Sequence, residues 1–148
     1  MSMWLIIGIV AIALLGIIAG KSKKPRHQHT PIHAKAILTK REQQFFQVLQ
    51  NVLPRAYIFP QVSFSAILNT KGFYTRSQFN RKIADFVLCD HQLKIVAIIE
   101  LDDSSHKGRE QQDAARDAML NEAGYPVFRY AQIPNAGQLQ KDLHQYFK

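Results

Sequence analysis

The stretch IADFVLCDHQLKIVAIIELD, residues 83–102, decides how this chain is read. Two apolar runs rich in Val and Ile, Ile83 to Cys89 and Leu93 to Leu101, flank the polar break Asp90-His91-Gln92. That pattern predicts a β-hairpin whose second strand is deeply buried. Alternate residues of a strand share a face, about 6.6 Å apart, so Glu100 and Asp102 point the same way at the end of the second strand. Asp85 lies early in the first strand, and a hairpin sets the start of one strand beside the end of the next. A turn at residues 90–92 puts residue 85 roughly opposite residue 97, give or take a few residues. Acids placed directly after KIVAII are costly unless exposed, paired or bound to a cation.

Downstream, Asp102 to Gly108 reads as a loop, and Glu110 to Glu122 as a helix with Ala114, Ala118 and Leu120 among its apolar positions. Gly124 suits the left-handed residue just past a helix end, and Pro126 to Tyr130 is a short strand. Strand, helix and strand form a βαβ unit, which requires parallel strands and a right-handed crossover. Gly137 to Phe147 is a last helix, with Leu139, Leu143 and Phe147 at i, i+4, i+8. Upstream, Thr39 and Glu42 have capping-box spacing. Phe45, Phe46, Leu49, Val52 and Leu53 then recur with helical period until Pro54. Tyr57 to Val62 reads as a strand, Phe64 to Leu68 as a short helical turn or loop, and Lys71 to Arg81 as an exposed loop. The expected class is α/β: a mixed sheet flanked by helices.

Residues 1–20 carry no charge and are dense in Ile, Leu, Val, Ala and Gly. As a helix they measure about 30 Å, the hydrocarbon thickness of a bilayer. Lys21, Lys23, Lys24 and Arg26 follow the apolar run rather than preceding it, which favours an uncleaved anchor over a signal peptide. The sequence therefore predicts one transmembrane helix over 1–20 and a basic juxtamembrane linker over 21–38. An α/β domain follows over 39–148, on the cytoplasmic side of the inner membrane. The net charge of +8 is concentrated in the arm, since residues 1–41 hold seven of the 19 Lys and Arg and no acid. A nearly neutral domain does not bind nucleic acid through its net charge, so any such site is a local patch. The single Cys89 forms no internal disulfide.

Carboxylates gathered without Cys suit Mg²⁺ or Mn²⁺ better than Zn²⁺, so Asp85, Glu100 and Asp102 are the candidate ligands. The alternative is acids that face solvent at a strand end. His106 reads as a proton shuttle or as a solvated loop histidine. Arg116 reads as a phosphate clamp or as the i,i+3 partner of Asp113. Glu42 is a helix cap or an accessory ligand, and Arg129 can pair with one of the acids or face a substrate. The segment Lys71 to Lys82, with Phe73, Tyr74 and Phe79 interleaved, either grips a phosphate backbone and stacks on bases or is a solvated loop anchored by aromatics. No Gly-rich phosphate loop, Cys/His zinc set or serine triad competes, and no small-molecule cofactor is expected.

Ala84-Asp85-Phe86-Val87, then Ile98-Ile99-Glu100-Leu101-Asp102-Asp103-Ser104-Ser105-His106, then Asp113, Arg116, Leu120, Gly124-Tyr125-Pro126-Val127 and Arg129, together resemble a bacterial family called domain of unknown function 2726. They are also similar to the very-short-patch-repair-endonuclease-like branch of the PD-(D/E)xK nuclease superfamily. The resemblance covers about residues 39–147. It implies a restriction-endonuclease-like core and a metal-dependent phosphodiesterase acting on DNA, with Asp85 and Glu100 as the metal-binding acids. Asp102 stands where that superfamily usually carries a Lys, and Lys94, ~20 Å along the strand, is too far to replace it. Related branches show Glu-x-Asp followed by a His, which implies that His106 and Arg116 handle the proton and supply the positive charge. A catalytically inactive nucleic-acid-binding or protein-interaction module on the same fold is the alternative.

Overall fold

The computed structural model describes residues 3–4, 29–102 and 110–147. Contacts divide the chain into two units, Met1–Ala34 and Lys35–Lys148. Of the first unit, residues 29–34 are exposed and without regular structure. The second unit is a mixed α/β domain in the order α1 (Lys40–Val52), β1 (Tyr57–Ser63), α2 (Phe64–Ile67), α3 (Phe73–Phe79), β2 (Ile83–Cys89), β3 (Ile95–Leu101), α4 (Glu110–Glu122), β4 (Val127–Tyr130), α5 (Ala136–Leu143), closing with a 3₁₀ turn at His144–Tyr146.

The four strands lie in one sheet in the order β1-β2-β3-β4. The first three are antiparallel, and β4 runs parallel to β3, as a helical crossover demands. The strand period of two gives β2 and β3 distinct faces. Phe86, Leu88, Ala97, Ile99 and Leu101 pack against Phe45 and Leu49 of α1 and Leu139 and Leu143 of α5. Val87, Cys89 and Ile98 point the other way, toward Phe64, Phe79 and Leu120 of α2, α3 and α4.

Local chemistry sets the ends of these elements. Thr39 Oγ1 accepts from the Glu42 N–H, and the Glu42 carboxylate accepts from the Thr39 N–H at 2.6 Å, completing the capping box of α1. Gly124, at φ 85°, takes the left-handed position after α4. In the β2–β3 turn the Asp90 carboxylate accepts from the N–H groups of Gln92 and Lys94, and Leu93 takes φ 62°. The turn is longer than the three polar residues suggest, and the register shifts between Leu88 and Cys89. Because Phe86 pairs with Ile99, Asp85 comes level with Glu100 rather than with residue 97.

Two expectations are corrected. Lys71 to Arg81 is not a loop throughout: residues 73–79 form α3, which follows Gly72 and is pinned by the buried Phe79. The second correction concerns the expected α/β fold preceded by a transmembrane helix. Among the described residues no helix is long and apolar enough to cross a membrane. The longest described helices, α1 and α4, have 13 residues each, about 20 Å, where a span needs about 20 apolar residues. Apart from Met3 and Trp4, residues 1–20 lie outside the described part. What stands is a mixed α/β domain with a four-stranded sheet.

Candidate functional site

Asp85 and Glu100 share the α4 face of the sheet because Val87 and Ile98, two residues from each, pair with one another and pack on that side. The β3–β4 register sets Arg129 beside Glu100 on the same face. Val87, Cys89 and Ile98 fill the middle of this face, and acids and arginines occupy its end. A cleft of about 200 Å³ opens there, lined by Glu42, Asp85, Glu100, Leu101, Asp102, Arg116 and Arg129. The hairpin and the crossover thus bring together four of the five residues singled out from sequence as catalytic: Asp85, Glu100, Asp102 and Arg116. The fifth, His106, lies outside the described residues.

Glu100 is only 3% exposed, the one charged residue among the buried side chains described. Its Oε1 accepts from Arg116 Nη2 at 2.8 Å. Burial pushes its carboxyl up to about 8; Arg116 pulls it down and the nearby Asp85 pushes it up again. Asp85 Oδ2 accepts from the Leu101 N–H at 2.9 Å. Burial raises the Asp85 carboxyl, against the pull of that backbone bond, and Glu42 adds to the rise. Two acids on neighbouring strands, Glu100 buried and Asp85 half-buried, thus lie beside the Arg116 guanidinium, and Arg129 adds a further pull on Glu100.

Arg116, on α4, also donates to the Ile83 carbonyl and lies over the Phe64 ring, 5.2 Å from its centroid. Its Nε is buried without a hydrogen-bond partner among the described residues. The i,i+3 pairing with Asp113 is not what fixes Arg116; Glu100, sixteen residues away, holds it. Arg129 forms a two-pronged pair with Asp117, both bonds 2.8 Å, and donates to Asp102 at 2.6 Å. Asp113 stands 3.7 Å from its Nη2. These acids hold the Arg129 guanidinium more firmly charged than usual. Asp102 is thus committed to Arg129, while its carbonyl accepts from Arg41 Nη1 at 2.9 Å. Arg41 also donates to the Ala131 carbonyl, tying the start of α1 to the ends of β3 and β4.

Two residues of the site were not found from sequence. Asp117 recurs one helical turn after Asp113, a spacing that was available as a signal. Gln61 had no local signal at all. The β1–β2 register sets it across from Asp85, between the paired positions Pro60 and Val62. It takes φ 54°, and its side-chain amide reaches the Glu42 carboxylate at 3.4 Å. A non-glycine residue held at positive φ costs about 1 kcal/mol or more and persists only where its surroundings impose it.

Among the described residues no three His, Cys, Asp or Glu side chains form a group that could hold a metal ion. The difference from the expected three-acid set has a physical cause: Arg129 has taken Asp102. Two carboxylates remain, Asp85 and Glu100, both hard oxygen donors. Oxygen donors of this kind are the type that Mg²⁺ takes, one or two carboxylates at a time, while keeping several of its waters.

One family model matches the chain, described as Protein of unknown function (DUF2726), over residues 34–146. The match covers most of the chain, including every strand of the sheet, and the chain belongs to this family. No curated protein and no solved structure matches it.

Proposed function

For this member of the family we propose metal-dependent hydrolysis of phosphodiester bonds in DNA, with Asp85 and Glu100 holding Mg²⁺ or Mn²⁺. The observation that carries the reading is the placement of two carboxylates, Glu100 buried and Asp85 half-buried, side by side at the end of one sheet face, where burial raises both. The sequence resemblance to the PD-(D/E)xK nucleases supports the same reading. Such a cation supplies Lewis acidity and neutralises charge that develops on a phosphate. Asp85 is oriented by the Leu101 N–H and Glu100 by Arg116. Asp85 and Glu100 would hold the cation, and Arg116, beside Glu100, would supply a guanidinium to a phosphate oxygen. Arg129 keeps Asp102 in place and, with it, the end of β3. His106, four residues beyond Asp102 in the sequence, is the candidate for accepting or returning a proton.

The test is cleavage of a mixed set of DNA substrates by the purified chain with Mg²⁺ or Mn²⁺. Wild type should cut, and Glu100→Ala should lower the rate at least ~100-fold, the scale of losing a positioned charge in a reaction site. Cutting that survives Glu100→Ala removes this mechanism. Calorimetric titration with Mn²⁺ should show binding by wild type and none by Glu100→Ala.

A second reading, a nucleic-acid binder without catalysis, draws on a different observation: Arg116 and Arg129 already neutralise Glu100 and Asp102 without a metal. Binding that is steeply salt-dependent, yet indifferent to metal and to Glu100→Ala, supports this reading over the first.

A further inference from the structure

Helix α3 is held to the domain by one side chain. Of its seven residues only Phe79 is buried, and the other six are exposed. Phe73 is 89% and Tyr74 77% exposed. Two exposed aromatic side chains, consecutive in sequence on one short helix, are poorly explained by packing, since exposed apolar surface of this size is a common mark of a contact site. Cations flank the pair in the sequence. Lys71, Arg76, Arg81 and Lys82 fall within twelve residues that contain no Asp or Glu, and no ion pair among the described residues involves any of the four.

Position adds a third element. Arg81 and Lys82 run directly into β2, whose third residue is Asp85, and Arg116 of the cleft donates to the carbonyl of Ile83. At about 3.3 Å per strand residue, the basic end of this segment lies ~10 Å from the Asp85 backbone. Flat unsatisfied rings, unpaired cations and an adjoining acid cleft match a strand whose bases are free to stack and whose phosphates pass between arginines. A duplex hides its base faces, and an acidic protein surface would leave the rings without partners.

We propose that α3 and its basic flanks, residues 71–82, bind single-stranded nucleic acid, Phe73 and Tyr74 stacking on bases while Arg76, Arg81 and Lys82 hold phosphates, and lead the strand to the carboxylate cleft. The delivery step rests on the hydrolase reading above; the binding step does not. The substrate class this assigns to the cleft is a single strand or an unpaired end.

The experiment is fluorescence anisotropy of the full chain with a labelled oligothymidylate, in EDTA so that no cleavage occurs. A duplex of equal length and anionic phospholipid vesicles are measured in parallel. Single strand should bind more tightly than duplex, and Phe73→Ala/Tyr74→Ala should weaken it about tenfold or more. Arg76→Ala/Arg81→Ala should flatten the dependence of log K on log salt by about 1.4, two phosphate contacts on a single strand. All four side chains are exposed, so the domain folds in these variants. Unchanged affinity in the aromatic double variant overturns the proposal, as does preference for duplex. Vesicle binding lost with the same aromatics, without oligonucleotide binding, overturns it in favour of a lipid surface. Strand binding without any metal-dependent cutting removes the hydrolase reading and leaves the binding surface standing. Cutting that persists while the aromatic variant binds normally does the reverse.

Discussion

The two faces of the β2–β3 hairpin are built from the same fourteen strand residues and serve opposite ends. Toward α1 and α5 every inward side chain is hydrocarbon: Phe86 and Leu88 on one strand, Ala97, Ile99 and Leu101 on the other, all meeting Phe45, Leu49, Leu139 and Leu143. Phe86 lies edge-on to Phe45 with ring centroids 5.6 Å apart. Toward α4 the same strands begin with Val87 and Ile98 but end in Asp85 and Glu100. One face contributes stability by excluding water. The other gives up hydrocarbon at one end to hold charge where charge is costly. An acid buried at that cost, when a leucine of similar size was open to the chain, is the feature on which the proposed function rests.

The contrast can be broken or sharpened by substitution. The largest effect should come from the apolar face: Phe86→Ala should destabilise the domain by about 3–5 kcal/mol in chemical denaturation, through lost transfer energy and the cavity left behind. A value near zero would mean that this face is not the core. On the polar face, Arg116→Ala should destabilise by about 1–3 kcal/mol at neutral pH, because Glu100 then has no donor and Ile83 loses one. Its cost should grow with pH, since ionising Glu100 becomes harder without the guanidinium; equal cost at pH 5 and pH 9 would show that the pair is not electrostatic.

The third effect is read as a slope against pH. In the folded chain burial pushes the Glu100 carboxyl up to about 8, against an ordinary value of 4.5. Between those two values the folded state binds more protons than the unfolded one. Glu100 therefore makes stability fall as pH rises through that window, by up to about 1.4 kcal/mol per pH unit. Glu100→Gln should flatten that part of the pH–stability curve and cost little below pH 5. An unchanged slope in the glutamine variant would show that another group titrates there.

Much of this molecule is legible one residue after another. Thr39 and Glu42 announce a helix start, Gly124 a helix end, and the alternation through Glu100 and Asp102 a shared face. Each of these signals is local, set by hydrogen bonds and sterics within a turn or by the period of a strand. Helix α3 was missed because its segment reads as polar and basic; one tertiary contact, the burial of Phe79, holds it. The partner of Arg116 was missed for a related reason. A neighbouring Asp113 offered a local pair, but the crossover placed a more deeply buried acid within reach.

By itself the chain's order of residues determined the kinds of element, the hairpin, the parallel crossover and the presence of acids at one strand end. Tertiary structure alone decided that Asp85 stands level with Glu100, that Arg129 takes Asp102 and Asp117, and that Gln61 closes in beside Glu42. The physical reason is range. Element type follows from interactions among near neighbours, whereas register and ion-pair choice depend on a longer turn, a register shift and a helix docked from elsewhere in the chain, whose energies no short window of sequence contains.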